Sequence, residues 1–364
     1  GENDIRISYL RLAVAASDLN EVPFSYNDLA DSSGTDPALE NFSLSHDTLD
    51  VLPVLKEILK INPTIKLMAS PWSPPNWMKG NRDTRGGSLL QEFEGTYACY
   101  LVNYIQSMKA EGIEIDALTI QNEPLHPGNN PSLLMLPEQQ ARFIGVHLGP
   151  AFAENGIKTK IIIYDHNADR PDYPIAVLND SLANLFIDGS AFHLYGGEID
   201  ALSEVHQAFP DKNIYFTEQW IGAPGSLAGD MPWHIKNLII GASRNWAKTV
   251  LEWNLTSNPQ LTPHTDRGGC DRCLGAVTVD GDSVTRNPAY YVIAHASKFV
   301  DPGSVRIDSN IFEGLHNVAF LRPDGKKVLI ALNDSKKAIS FQIVDKEKVF
   351  YAELNPGATG TWIW

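Results

Sequence analysis

The stretch IDALTIQNEP, residues 115–124, joins an apolar strand pattern to a polar ending. Six other runs have a similar apolar character and occupy residues 5–14, 65–70, 160–165, 189–195, 213–218 and 249–254. Helical patterns such as DTLDVLPVLKEILK (47–60) and PEQQARFIGVHLGPAFAENG (137–156) lie between them. Buried strands that alternate with helices predict an α/β fold with a parallel sheet built from βα units.

Motifs and length favour a (β/α)8 TIM barrel over a nucleotide-binding sheet. The sequence has no G-x-G-x-x-G fingerprint and no Walker loop. Its 364 residues suit one barrel of about 250 residues with a smaller module. After residue 285, short strands joined by turns such as Pro-Asp-Gly predict an antiparallel β module. We therefore predict a barrel over residues 1–284 and a C-terminal antiparallel β side domain over residues 285–364.

The strand count falls one short of a closed barrel. Seven candidate strands are present and a barrel of this type has eight. We expect the first strand to be missing from this chain, with at least one further βα unit of roughly 30 residues ahead of Gly1. Strands that complete the β module are expected there as well.

Charge and composition exclude several classes of function. With 29 Lys and Arg against 44 Asp and Glu, the formal charge is −15, which argues against a nucleic-acid groove. No apolar run approaches the ~20 residues of a membrane span, and the N-terminus shows no intact signal peptide. Cys99 stands alone, whereas Cys270 and Cys273 form one C-x-x-C. Inert or reduced thiols, a local disulfide, and redox or metal chemistry all remain open for the cysteines.

Polar and aromatic residues gather where the predicted strands end, which is where a barrel carries its reacting groups. These residues are Arg11, Asp18, Trp72, Asn122, Glu123, Asp165, His166, His193, Tyr195, Glu218, Trp253 and Asn254. Glu123 and Glu218 end the fourth and seventh strands once a missing first strand is allowed, so they are expected to face each other. Two carboxyl groups about 5 to 5.5 Å apart are what retaining glycoside hydrolysis needs. A lone buried glutamate would more often serve in an ion pair or a helix cap, but two at matching strand ends favour catalysis.

The remaining strand-end residues fit sugar binding. Trp72 and Trp253 are expected to contact a pyranose face, whereas Trp77 and Trp220 are divided between sugar contact and core packing. Asn122 is placed to bond the sugar 2-hydroxyl. His193 and Tyr195 alternate on one strand, so both are expected to line the same pocket, where one of them is expected to orient Glu218.

Asp165, His166 and His193 raise the alternative of a metal-dependent hydrolase. Their spacing matches no known ligand motif, and we predict neither a metal nor a cofactor.

Several stretches together are similar to glycoside hydrolase family 30. They run nearly end to end and include RLAVAASD, LMASPWSPPNWMK, IQNEP, AFHLY, FTEQW, EWNL, NPAYYVIAHASKFV and TWIW. The resemblance implies a (β/α)8 barrel with a side β-sandwich, Glu123 as the acid/base and Glu218 as the nucleophile. It places sugar-binding positions at Arg11, Asp18, Trp72, Asn122, His193 and Trp253.

The resemblance also guides the choice of substrate. The segments 124–132 and 262–279 resemble those of bacterial and fungal members that cut β-1,6-glucan or remove β-glucosyl units. We therefore expect a retaining O-glycosyl hydrolase that acts on a β-linked glucan or glucoside, first of all an endo-β-1,6-glucanase. The alternatives are an exo-acting β-glucosidase or β-xylosidase, a glucosylceramidase and, from another class, a non-catalytic carbohydrate-binding barrel. The expected location is secreted, periplasmic or at the cell surface.

Overall fold

The computed structural model of the chain describes residues 4–364, and contacts within it define two compact units. The barrel unit consists of Tyr9–Thr217 and Leu261–Asp271. The C-terminal unit consists of Glu218–Gln260 and Arg272–Trp364, together with residues 4–8. The domain boundary predicted at residue 284 stays a prediction.

Seven strands of the described residues form one sheet in chain order. They are β1 (Tyr9–Val14), β2 (Lys66–Pro71), β3 (Ala117–Thr119), β4 (Lys160–Ala168), β5 (Ile187–Gly197), β6 (Asn213–Glu218) and β7 (Ala247–Val250). Neighbouring strands from β1 to β5 pair in parallel. The predicted α/β sheet is confirmed, and each of the seven predicted strands is present.

One face of this sheet packs into an apolar layer because alternate residues of a strand point to the same side. Five strands each contribute one buried residue, and Tyr9 of β1 packs against them. The five residues are Met68, Ala117, Ile162, Ala191 and Tyr215. This layer lies below the strand ends. The residues two positions further along each strand point to the same side as the residues of the layer.

Along the described chain, α-helices connect successive strands of the sheet, as expected for βα units, and one further α-helix lies beyond β7. The α-helices of the described residues are α1 (Val51–Ile61), α2 (Glu94–Ala110), α3 (Pro137–Arg142), α4 (Gly149–Glu154), α5 (Asp172–Asn179), α6 (Ser181–Asn184), α7 (Ala201–Ala208), α8 (Leu227–His234) and α9 (Pro288–Ser297). A π-helical turn, Phe143–Leu148, joins α3 to α4, and a second, Ile235–Ala242, continues α8. Short 3₁₀ turns form at Ser45–Thr48, Asn76–Met78 and Gln91–Phe93. The two helices predicted over 47–60 and 137–156 are confirmed, and Asp50 caps α1 by accepting a hydrogen bond from Val51 N.

The C-terminal unit carries the remaining strands of the described chain. A small sheet contains β8 (Thr256–Ser257), β9 (Val277–Asp280) and β10 (Ser283–Arg286), and a hairpin contains β14 (Ile339–Asp345) and β15 (Lys348–Leu354). A four-stranded antiparallel sheet contains β11 (Val305–Ile307), β12 (Leu315–Leu321), β13 (Lys327–Asn333) and β16 (Thr359–Ile363). Buried residues of β12 and β13 pack against the second π-helical turn, Ile235–Ala242, and against α9. The predicted antiparallel module is confirmed.

Two further features bear on the expectations from composition. Within residues 4–364, every helix is too short or too polar to cross a bilayer. Cys270 and Cys273 are disulfide-bonded, which settles the pairing that the spacing left open, and Cys99 is a free, exposed thiol.

Candidate active site

A polar layer lies directly above the apolar layer of the sheet. Two residues beyond Tyr9, Met68, Ala117, Ala191 and Tyr215, the strands carry Arg11, Ser70, Thr119, His193 and Thr217. On β4 the layer is reached one residue later, at Asp165, where the register with β5 shifts. Tyr164 and Asp165 both have positive φ, 71° and 63°, in the left-handed region that side chains other than glycine seldom adopt. The irregular backbone turns the Asp165 carboxylate into the interior.

Asp165 is the centre of this polar layer, and its side chain is fully buried. Its Oδ2 accepts hydrogen bonds from Arg11 Nη2 at 2.8 Å and Thr119 Oγ1 at 2.7 Å, with Ser70 Oγ at 3.3 Å. Its Oδ1 accepts one from Thr217 Oγ1 at 2.7 Å and lies 3.1 Å from His193 Nε2. The carboxylate is thereby surrounded by side chains from five other strands.

These contacts keep Asp165 ionised. Burial raises the pKa of a carboxyl group, but the Arg11 guanidinium and the His193 hydrogen bond outweigh it here. The pKa of Asp165 is therefore held far below its ordinary range. The group is a permanent negative charge, so it can orient its neighbours but cannot exchange protons near neutral pH.

Arg11 extends the layer towards the strand ends. The same Nη2 that bonds Asp165 also donates to Asn122 Oδ1 at 2.7 Å, and the guanidinium carbon lies 5.0 Å from the centre of the Trp72 ring. Asn122 is itself buried, and its backbone N–H donates to Pro71 O at 2.8 Å. Trp72 is only 1% exposed, so its ring supports Arg11, and the sugar contact predicted for it stays a prediction.

Glu123 follows β3 and is held close to two histidines. Its backbone has φ of 46°, and its N–H donates to Asp165 O at 2.9 Å. Oε1 lies 3.6 Å from His193 Nδ1 and 3.9 Å from His166 Nδ1, and Oε2 accepts a hydrogen bond from Asn129 Nδ2 at 2.9 Å. His193 thus stands between two carboxyl groups, with Nε2 towards Asp165 and Nδ1 towards Glu123.

Burial and the neighbouring His193 have opposite effects on the pKa of Glu123. Burial raises the pKa of its carboxyl, but the hydrogen bond and charge of His193 lower it by more, and the net pKa lies below the ordinary value. Burial lowers the pKa of His166 to about 4, so this ring is neutral near pH 7. A substrate that displaced water from Glu123 would push the pKa of its carboxyl upward, which is the direction that a general acid needs.

The other predicted site residues occupy different settings. Tyr195 is 40% exposed, and its ring lies 6.0 Å from that of His193, so the two do share one side of β5 as expected. Asp18 is buried, and its carbonyl accepts a hydrogen bond from Thr265 N. Glu218 is the buried last residue of β6, next to Thr217. Trp253 forms a backbone bridge with Trp220 within the C-terminal unit.

Trp77 belongs to the core of the barrel unit. It is 4% exposed, its indole N–H donates to the carbonyl and the side chain of Asn27, and its ring packs edge-on against Phe93. Of the two uses that the sequence left open for Trp77, the structure places it in packing.

Two functional features were missed by sequence reasoning. The sequence raises Asp165 as a metal ligand and not as the organising charge, because the register shift after Tyr164 that turns it inward has no signature in the sequence. Asn129 was not singled out at all. It lies in a loop with no regular pattern, so nothing local indicates that it reaches Glu123.

The metal alternative loses its first ligand. Both carboxylate oxygens of Asp165 are occupied by donors, including the Arg11 cation 2.8 Å away. A metal ion beside them would meet that positive charge and compete with the Thr119 and Thr217 hydroxyls. The set of Asp165, His166 and His193 is therefore unsuited to metal-assisted hydrolysis.

Comparison with known proteins identifies the family. The profile of the Glycosyl hydrolase family 30 TIM-barrel domain matches residues 1–300, and that of the Glycosyl hydrolase family 30 beta sandwich domain matches residues 303–362. An endo-1,6-β-D-glucanase of Aspergillus fumigatus is 35% identical over 350 residues, which cover 89% of this chain and 70% of that protein. The lysosomal acid glucosylceramidase of Mus musculus is 31% identical in an alignment that covers 100% of this chain and 74% of that protein.

Solved structures agree with this assignment. An endo-β1,6-glucanase superposes with a TM-score of 0.90 at 35% identity and covers 98% of this chain and 82% of its own. SrfJ of Salmonella typhimurium has a TM-score of 0.92 at 29% identity and covers 100% and 82%. With a buried glutamate placed beside histidines at the end of a parallel strand, these matches mean that the chain belongs to glycoside hydrolase family 30 and is an O-glycosyl hydrolase.

Proposed function

We propose that this enzyme is an endo-β-1,6-glucanase that works with retention of anomeric configuration. The observation that carries the proposal is Glu123, a buried carboxyl at a strand end with two histidines within 4 Å of one oxygen. The β-1,6 linkage is supported by relatives named as endo-1,6-β-glucanases from Aspergillus fumigatus, Neurospora crassa and Trichoderma harzianum, at 31 to 35% identity. The proposed partner is thus a β-linked glucan chain.

The proposed chemistry has two displacements. In the first, the Glu218 carboxylate attacks the anomeric carbon, the glycosidic C–O bond breaks, and Glu123 gives its proton to the leaving oxygen. In the second, Glu123 takes a proton from a water molecule, whose oxygen attacks the anomeric carbon and releases Glu218. Asn122, held by Arg11, would bond the 2-hydroxyl of the sugar.

In this scheme Asp165 acts through its neighbours. It holds His193 Nε2 at 3.1 Å and Arg11 Nη2 at 2.8 Å, so His193 presents its other nitrogen to Glu123 and Arg11 presents Asn122. Thr217, which also bonds Asp165, precedes Glu218 in β6. Asp165 is a positioning residue in this proposal.

A glucosylceramidase or exo-acting glucosidase is the second candidate function. It is favoured by relatives that carry the name glucosylceramidase, among them the mouse lysosomal protein that matches the whole chain. It would use the same two glutamates, so only the products and the preferred aglycone separate it from an endo-glucanase.

We also propose that the protein is secreted, periplasmic or at the cell surface. The Cys270–Cys273 disulfide supports this because such bonds persist in oxidising compartments. Protein isolated from its source and alkylated without reductant should be labelled at Cys99 alone and should be found in the medium or the cell envelope. Recovery from the cytoplasm with all three cysteines labelled would contradict the proposal.

Replacing either glutamate should stop turnover and leave the fold intact, because Glu218→Gln and Glu123→Gln remove chemistry with little change of volume. We expect Glu123→Gln to lower kcat/KM on a substrate with a poor leaving group by at least about a hundredfold. Azide should restore activity to both Glu218→Gly and Glu123→Ala. The product should have inverted anomeric configuration with Glu218→Gly and retained configuration with Glu123→Ala. Wild-type activity in either variant would refute the assignment, as would a first-formed α-sugar from a β-substrate in magnetic resonance spectra.

The products of a substrate panel should identify the specificity. On a β-1,6-glucan, an endo-acting enzyme should release a series of oligosaccharides early in the reaction, since it cuts within the chain. β-1,3-glucan, xylan and glucosylceramide serve as matched alternatives. Glucose as the only early product, or preference for the lipid substrate, would instead establish the second candidate.

Breaking the Asp165–Arg11 pair should destabilise the protein as well as slow it. Asp165→Asn leaves the Arg11 guanidinium buried without its counter-charge, and we expect a loss of about 3–5 kcal/mol in the free energy of unfolding at pH 7. The folded pKa of Asp165 lies below its unfolded value of about 3.9, so its contribution is complete above that pH and is lost as the pH falls further. The difference between wild type and variant in the free energy of unfolding by urea should therefore be smaller by about 1 kcal/mol at pH 3 than at pH 7.

A matched control is available on the surface. Asp172 and Arg170 form an exposed pair at 2.8 Å, and Asp172→Asn should change the free energy of unfolding by at most about 1 kcal/mol. Equal losses in the two variants would mean that Asp165 is not the structural centre described above.

A further inference from the structure

We propose that Asn129 is a positioning residue for Glu123 and that three loops of the barrel unit brace it. The inference rests on the proposed function, because it takes Glu123 as the acid/base. Asn129 Nδ2 donates to Glu123 Oε2 at 2.9 Å, on the opposite side of the carboxyl from the histidines. The loops are 79–90, 124–135 and 261–271, named here the first, second and third loop.

The backbone of Asn129 is fixed through Ser132 to the first loop. Ser132 Oγ donates to Asn129 O at 2.6 Å and accepts from Gly86 N at 2.9 Å. The buried Lys79 ammonium donates to Ser132 O at 2.8 Å and to Thr84 O at 3.1 Å. One lysine thus joins the first loop to the second within a few residues of Asn129.

The neighbouring residue, Asn130, is fixed to the third loop. Its side chain is fully buried, accepts from Thr84 Oγ1 at 2.6 Å and donates to Asp266 Oδ1 at 2.9 Å. Its carbonyl accepts a hydrogen bond from Thr265 Oγ1. All the hydrogen-bonding groups of the Asn130 side chain face protein, so the second loop cannot move without leaving them unsatisfied.

The third loop also approaches the second too closely for a side chain. Gly268 has φ of 134°, and a Cβ there would lie 2.4 Å from Gly128 O. Arg267 bonds Asp83 across to the first loop at 3.0 Å. Asn129 is therefore presented by a rigid assembly of three loops, and not by a single mobile one.

A held amide on Oε2 would affect Glu123 in two ways. It stops rotation of the carboxyl, so that the proton is delivered along one direction, and misplacement of a reacting group by about 1 Å can cost a hundredfold in rate. It also stabilises the ionised carboxyl, which makes Glu123 a stronger acid. Within the barrel unit, the titratable groups around Glu123 are His193 and His166 at Oε1 and the exposed His126 one turn away.

The test is Asn129→Ala, compared on two aryl β-gentiobiosides that differ in leaving group. Phenol needs a proton from the acid and 2,4-dinitrophenol does not. We expect kcat/KM to fall roughly tenfold to a hundredfold for the phenyl substrate and by less than about twofold for the dinitrophenyl one. The alkaline limb of the pH profile should move to higher pH, because the ionised carboxyl has lost a donor. Asn129→Asp, which turns the donor into an acceptor, should move it further.

Asn155→Ala is the matched control, since the Asn155 side chain bonds only Ala151 and Gln106 in the described chain. This variant should leave kcat/KM on both substrates and the pH profile unchanged. Thermal melting establishes that each variant is folded, and if Asn129→Ala does not fold, Asn129→Asp supplies the same readouts. Equal losses on both substrates, or an unmoved alkaline limb, would overturn the inference. Glu123→Ala that keeps full activity on the phenyl substrate would instead refute the proposed function, so the two failures are distinguishable.

Discussion

The burial of one carboxylate, Asp165, is the constraint on which the rest of the barrel unit depends. An ionised carboxylate inside a protein is costly unless it is paired and all its lone pairs accept hydrogen bonds. Here the partners come from the strands on either side, and they are Arg11, Ser70, Thr119, His193 and Thr217. Because successive side chains of a strand point to opposite faces, a slip of one residue in any of these strands would remove a donor from Asp165. In β1, β2, β3 and β5 it would also place an apolar residue beside the charge. The charge therefore helps to fix the register of β1 to β6.

The groups that bond Asp165 also position the other residues of the candidate site. Arg11 uses one nitrogen for both Asp165 and Asn122, and His193 uses its two nitrogens for Asp165 and Glu123. The positive φ angles at Asp165 and Glu123 lie next to these contacts, and the backbone of Glu123 also bonds that of Asp165. Backbone strain persists only where its surroundings over-determine it. In this structure the hydrogen bonds to Asp165 provide that support.

The sequence predicts the parts of this arrangement that repeat, and it fails where the arrangement is irregular. Seven strands and their polar endings follow from apolar runs that alternate with helical patterns, so Arg11, Asn122, Glu123 and His193 could be placed at or near strand ends in advance. The role of Asp165 could not, because the shift at Tyr164 moves the inward position by one residue, and no pattern encodes such a shift. Asn129 depends on hydrogen bonds between three loops distant in sequence, which no local signal reports.

The surroundings of two buried carboxyl groups, Asp165 and Glu123, give them different affinities for a proton. Asp165 has donors on both oxygens, including a cation, so its proton affinity is too low for exchange at any ordinary pH. Glu123 has one firm donor, Asn129, on Oε2, whereas Oε1 faces histidine nitrogens at 3.6 and 3.9 Å, too long for strong hydrogen bonds. Its remaining lone pairs are thus available to a proton, and desolvation by a substrate would raise the pKa that His193 now lowers. Groups whose environments drive their pKa values apart take different roles in a site, and this difference between Asp165 and Glu123 supports the roles proposed for them above.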